Sequence, residues 1–369
     1  MIKVLHYLGS LSAGGIPSRV MDVYRSINRE IIQFDFLIGK EGKDFYDDEI
    51  TRLGGHIYRI QASIRSGLKG KKELKCFFDS HKKDYDVIYI HFSSLSNIRV
   101  LLESVHSNAK VKIVHSHGNA TTGNIIHDIF HKINRLRNID KYCTHKFAVS
   151  YVAGKWMFGK HACFTVLKNP IDIKAFSYNE EIRDSVRQEM DFDGKFVVGH
   201  VGRFVEVKNH KFLIEIFAEI RKLYENVVLL LIGDGPLVNE IKQYADNHNI
   251  SDYVIFLGAT KEVSKFLQGV DVFVFPSICE GLGNVVIEAQ AAGLKTIVSD
   301  VVPRETDITD LIEYISLTKS VSYWADRILI YKDGYKRRDT YQEISASGFE
   351  LYENIKWFEE FYLTNCLKQ

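Results

Sequence analysis

Arg203 and Lys208 lie five residues apart in the run Gly202-Arg203-Phe204-Val205-Glu206-Val207-Lys208-Asn209. The run follows an apolar segment, Phe196–Val201, that reads as a strand, and it leads into a helical pattern. Cations in a strand-to-helix loop can neutralise a departing diphosphate, as a divalent metal does elsewhere. Solvated surface charge is the bland alternative. A second constellation, Glu280-Gly281-Leu282-Gly283-Asn284-Val285-Val286-Ile287-Glu288, follows the strand-like Val272–Phe275 and the turn Pro276-Ser277. Its glycines let backbone approach a ligand, and a helix starting near Gly283 directs its first amides there. Glu280 belongs to the loop. Glu288 falls in an otherwise apolar helical stretch, where a carboxylate is costly unless it is paired or faces a cleft. It can accept two hydroxyl hydrogen bonds, as from a ribose, or pair with a lysine.

The first half holds two more candidates. Gly9-Ser10-Leu11-Ser12-Ala13-Gly14-Gly15 joins the first strand to a helix with Pro17 in its first turn, a loop tolerant of phosphate. His115-Ser116-His117-Gly118 follows the strand-like Val111–Val114, and either histidine suits a polar cleft. Two histidines without a spaced acidic partner make no convincing metal site. Neither G-x-G-x-x-G nor a Walker A sequence occurs, which weighs against a dehydrogenase or an NTPase.

Each candidate sits at the C-terminal end of a strand. The first half shows strand-like runs at Ile2–Leu8, Phe34–Ile38, His56–Ile60, Val87–Phe92, Val111–His115 and Lys146–Ser150. Helical patterns intervene at Pro17–Asn28, Leu68–Ser80 and Leu95–Ser107. A charged pause at Asn179–Lys195 separates these from a second series: Phe196–Val201, Val227–Ile232, Val254–Leu257, Val272–Phe275, Thr296–Ser299 and Ile312–Ser316. Its helices are expected at Asn209–Tyr224, Leu237–His248, Val263–Gln268 and Val285–Ala292. Unbroken Val/Ile/Leu/Phe runs mark parallel strands buried on both faces. Alternation of strand and helix predicts an α/β protein with two doubly wound, Rossmann-like domains, whose strand ends are where ligands bind. The aromatic-rich Gly348–Leu363 reads as a helix that either caps the second domain or crosses back to the first.

The 369 residues suit two domains, and the net charge of +1 hides an asymmetry. Residues 1–168 carry 26 Lys+Arg against 15 Asp+Glu, and the remainder is correspondingly acidic. Eleven of the 14 histidines also lie in the first half. The basic half favours an anionic surface or acceptor. Nucleic acid is disfavoured, because no recognition motif accompanies the charge. Cys76, Cys143, Cys163, Cys279 and Cys366 are scattered, odd in number and without C-x-x-C, which fits a reducing compartment. The opening run, interrupted by Lys3 and His6, reads as a strand rather than a signal peptide.

Taken in order, these motifs resemble family 4 of the retaining glycosyltransferases, and within it the bacterial capsular and exopolysaccharide enzymes. The resemblance rests on Gly14-Gly15, His115-Ser116-His117, Ala148-Val149-Ser150, Gly199-His200-Val201-Gly202-Arg203 with Lys208-Asn209-His210, and Gly233-Asp234-Gly235-Pro236. Most specific is Phe275-Pro276-Ser277 leading to Glu280 and Glu288-Ala289-Gln290. Arg304-Glu305-Thr306-Asp307 and Glu313 to Leu317 resemble the polysaccharide subgroup. The chain departs from the family at Ile16-Pro17, where Glu is common, and at Asn169-Pro170, where Asn-Gly is common.

The resemblance implies the GT-B fold: an acceptor domain over 1–168, a nucleotide-sugar domain over 169–347, a cleft between them, and a final helix, 348–365, packing back on the first. It implies that Arg203 and Lys208 neutralise the donor diphosphate, that Glu280 faces the donor sugar and that Glu288 holds the ribose. His117 would lie near the reacting sugar and Gly14 and Gly15 near the phosphates. Gly202, Asn209, Gly281, Leu282, Gly283, Asn284 and Val285 would complete the substrate site. The expected reaction is transfer of a hexose or N-acetylhexosamine from a UDP-sugar, with retention, without metal or other cofactor. The expected acceptor is a saccharide, free or on a lipid diphosphate. The expected location is the cytoplasm, at the inner membrane face. A UDP-N-acetylglucosamine 2-epimerase on the same fold and a non-catalytic partner subunit are the alternatives.

Overall fold

The computed structural model describes residues 1–61, 67–119, 125–137 and 139–367. The chain divides into two compact units, Met1–Pro170 with Leu351–Gln369, and Ile171–Glu350. The first boundary falls two residues later than the expected end at 168.

In the first unit, β1 (Ile2–Leu8), β2 (Ile32–Ile38), β3 (Ile57–Arg59), β4 (Val87–Phe92), β5 (Val111–Ser116), β6 (His145–Ala148) and β7 (Thr165–Val166) form one sheet in the order β3-β2-β1-β4-β5-β6-β7. All its pairings are parallel. The central strands are buried on both faces, β4 at every residue, so successive residues enter different cores. Val87 and Tyr89 join Val4, Phe34 and Phe36 on one side, while Ile88 and Ile90 join Leu5 and Leu37 on the other. The strand order reverses between β1 and β4, the switch point at which open α/β sheets leave a crevice.

The helix Leu351–Leu367 belongs to this unit and buries Leu351, Ile355, Phe358, Tyr362 and Cys366, one helical face, in the core that contains Phe34. It starts three residues after the expected Gly348, because Gly348 is left-handed (φ 80°) and Glu350 is extended. The expected helix Leu95–Ser107 is shorter, Arg99–Glu103 plus a 3-10 turn. Ser94 Oγ and Asn97 Oδ1 accept from the Ser96 and Arg99 amides and hold the preceding residues in turns.

The second unit contains β8 (Phe196–Val201), β9 (Val227–Ile232), β10 (Val254–Gly258), β11 (Val272–Phe275), β12 (Lys295–Ser299) and β13 (Ile312–Ile315). Their order is β10-β9-β8-β11-β12-β13, again parallel, with the switch point between β8 and β11. The charged pause before β8 is itself a helix, Glu180–Glu189, whose Asn179 side chain accepts from the Ile182 amide. Arg183 and Arg187 reach from it to Asp271 at 2.5 and 3.2 Å and tie it to the start of β11.

Candidate active site

The loops after β8 and β11 leave adjacent strands and are laced together. After β8, a 3-10 turn (Glu206–Lys208) ends at Asn209, which is left-handed at φ 57° and donates from Nδ2 to Pro276 O at 3.1 Å. The Ile278 amide donates to Val207 O at 2.8 Å. These bonds bring Lys208 Nζ to 2.6 Å from Glu280 Oε1 and 4.6 Å from the centre of the Phe275 ring. Ser277 Oγ also lies 2.5 Å from that carboxylate oxygen. Lys208 and Glu280, 72 residues apart, thus share the switch point, while Arg203 stays exposed in the first of the two loops.

Gly283 caps the helix Asn284–Ala291 with φ 90°, a conformation that favours glycine. No acidic residue occupies the first turn, so its amide end keeps its affinity for an anion. Gly281, Leu282, Asn284 and Val285 surround this start, and Glu288 lies one turn along, buried. Backbone crowds the neighbouring loop: a Cβ on Gly233 would sit 2.1 Å from Gly202 O, and one on Gly235 2.5 Å from Phe204 O. Side chains are excluded there. His200 and His210, beneath Lys208, are held neutral by burial, at about 4 and about 2.

The first unit builds a different site. His6 on β1, His91 on β4 and His115 on β5 occupy neighbouring strands, with His117 just beyond. His6 Nδ1 lies 3.0 Å from His91 Nε2, and His91 Nδ1 lies 2.9 Å from His117 Nε2. The row lines a recess that Arg19, Asn169, Pro170, Phe358 and Tyr362 complete. Burial, with no carboxylate beside them, holds the imidazoles neutral, His6 and His117 at about 3 and His91 and His115 well below their ordinary value. His6 Nε2 is buried without a partner. A buried N–H costs more to leave unpaired than a bare lone pair. The proton order is therefore His6 Nδ1–H to His91 to His117, which leaves the proton of His117 on Nδ1. Ring nitrogens of His91, His115 and His117 fall within 4.8 Å of one another, so these three could also hold a metal ion. Sequence reasoning saw only two of them. The missing signal was strand register, which sets His91 opposite His115. Gly14 and Gly15 sit at the start of the helix Gly15–Ser26, after β1.

A family model for group 1 glycosyl transferases matches residues 182–345. A Bacillus subtilis protein bearing the name glycosyltransferase EpsF is 30% identical over 363 residues, covering 96% of this chain and 94% of that one. An Escherichia coli UDP-Gal:alpha-D-GlcNAc-diphosphoundecaprenol alpha-1,3-galactosyltransferase is 27% identical, covering 81% of this chain and 80% of its own. The crystal structure of Anabaena HepE with UDP-glucose matches 98% of this chain and 99% of its own at a TM-score of 0.77 and 16% identity, a likeness of fold.

Proposed function

The chain belongs to the group 1 glycosyl transferases, and we propose that it moves a hexose or N-acetylhexosamine from a UDP-sugar to a lipid-diphosphate-linked saccharide, with retention, in the building of a cell-surface polysaccharide. The observation that carries this is the Lys208–Glu280 pair at the switch point of the second sheet, beside the start of the helix Asn284–Ala291. The structure has the lysine held by the glutamate. With donor bound, Lys208 and Arg203 turn to the diphosphate, the helix amides take a phosphate oxygen, and Glu280 is released to accept from a sugar hydroxyl. Glu288, one turn deeper, accepts from the ribose.

Departure of the diphosphate then needs no divalent ion, because fixed cations and amides meet the charge as it develops. The acceptor hydroxyl attacks on the face the phosphate leaves, and the phosphate oxygen takes its proton. The first unit receives the acceptor, where neutral imidazoles can exchange hydrogen bonds with hydroxyls without adding charge. Its excess of cations suits work at the cytoplasmic face of an anionic membrane. Among the described residues no helix is long and apolar enough to cross one.

The test is a panel of UDP-sugars with an undecaprenyl-diphosphate saccharide, the product's linkage read by NMR. An α-linked product from an α-configured donor is expected. A β-linked product, or conversion of the UDP-sugar to its epimer without acceptor, would overturn the reading.

A further inference from the structure

The helix Ile125–Leu136 is mounted inside out. Its inward residues are polar: His131 Nδ1 accepts from the Leu95 amide at 3.1 Å, and Asn134 Nδ2 donates to Leu95 O at 2.7 Å. His131 also stacks on Trp156 with ring centres 4.0 Å apart. One outward face is apolar, with Ile125 73%, Ile129 51%, Ile133 46%, Leu136 86% and Phe130 38% exposed. The first four follow at intervals of four, four and three, one stripe along a helix. Water-facing helices carry the opposite pattern, and a contiguous apolar stripe in solution marks an interaction surface.

Charge decides between the possible occupants. Lys132, Arg135 and Arg137 are exposed on and just after the same helix, and Asp128 is its only carboxylate. A second copy docked stripe to stripe would bring like charges together, which is unfavourable. An anionic bilayer meets both features, since acyl chains take the stripe and headgroups take the cations. We propose that the helix Ile125–Leu136 lies in the membrane interface and inserts Ile125, Ile129, Phe130, Ile133 and Leu136 among the acyl chains of anionic lipid. The proposal rests on the reading of the first unit as the acceptor side, and it presents that unit to a lipid-borne acceptor.

The cations of the helix Gly67–Ser80 are secondary in this scheme. Lys71 lies 3.9 Å from Glu103 and Lys69 3.8 Å from Glu73, which spends part of their charge. Lys72, Lys75, Lys82 and Lys83 remain exposed, and Arg65 lies outside the described residues.

The full chain is tested by co-sedimentation with neutral phosphatidylcholine vesicles and with vesicles containing phosphatidylglycerol. A Phe130→Trp variant reports insertion through quenching by lipids brominated on the acyl chain. Binding to anionic vesicles with quenched Trp fluorescence is expected. Ile129→Asp with Ile133→Asp should lower partitioning roughly tenfold or more. Both positions are exposed, so the fold should survive, and circular dichroism checks it. Unchanged vesicle binding in the double variant would overturn the proposal. So would absence of binding by the parent chain, or a parent dimer that the double variant abolishes, which would assign the stripe to a second copy. Transfer to a water-soluble acceptor, measured in parallel, tests the transferase reading separately.

Discussion

The two switch points use opposite electrostatics. In the second unit, an ammonium and a carboxylate meet at 2.6 Å beside a helix start. In the first, four imidazoles are packed in a row and kept neutral by burial. In the proposed reaction the same parallel topology serves two tasks. Fixed charge suits a phosphate that gains charge during reaction, and neutral donors suit hydroxyls that do not. The fold places a crevice, and the residue types at the strand ends decide what it holds.

Breaking the charged side should have the largest effect. Lys208→Ala should lower kcat on the order of 10²–10³-fold with a smaller change in KM, because the cation acts chiefly as the diphosphate leaves. Arg203→Ala, in the same loop but exposed, should cost less. Steady-state kinetics decide, and a Lys208→Ala variant with parental kcat would remove the lysine from the site.

Acid should separate the units next. In the unfolded chain these histidines titrate near 6.5, while His6 and His117 titrate at about 3 in the fold. Below 6.5 the unfolded chain binds protons that the folded chain refuses, so stability is full above that pH and is lost as pH falls toward the folded values. Each such imidazole adds about 1.4 kcal/mol per pH unit to the loss. The first unit holds the four of the row, with His131 and His145 lowered as well, whereas the second holds His200 and His210. Hydrogen exchange at pH 7 and pH 5, corrected for intrinsic rates, should show the first unit losing protection first. Earlier loss in the second would contradict the comparison.

The smallest effect sharpens the neutral side. His91→Asn should disturb the proton order that makes His117 Nδ1 a donor, and should lower kcat by about fivefold to tenfold, the worth of one hydrogen bond. Donor affinity should not move, since the donor site belongs to the other unit. In ¹⁵N spectra the His117 ring should change tautomer. An unchanged His117 signal would show that His91 does not orient it.

Much of the fold was legible because parallel strands announce themselves. Phe196–Val201, Val227–Ile232 and Val272–Phe275 read as strands and are strands with those ends. Two kinds of element were not. Glu180–Glu189 buries only Val186, so it lacks an apolar stripe, and its signal was Asn179 followed by Glu180 and Glu181. Ile125–Leu136 has a strong stripe, but its buried residues are His131 and Asn134, against the rule that apolar residues face inward. At the candidate site, the loop residues were visible from spacing after strands. The Lys208–Glu280 contact needed the pairing of β8 with β11, and the histidine row needed the register of β1, β4 and β5.

Under the proposed function, protein charge rather than a metal receives the donor diphosphate. The direct measurement is calorimetric titration of UDP into the full chain with and without EDTA, repeated with Glu288→Ala. The account predicts the same affinity in both buffers and a clear loss in the variant, because a ribose contact acts in the ground state. Binding that disappears with EDTA and returns with a divalent ion would contradict it.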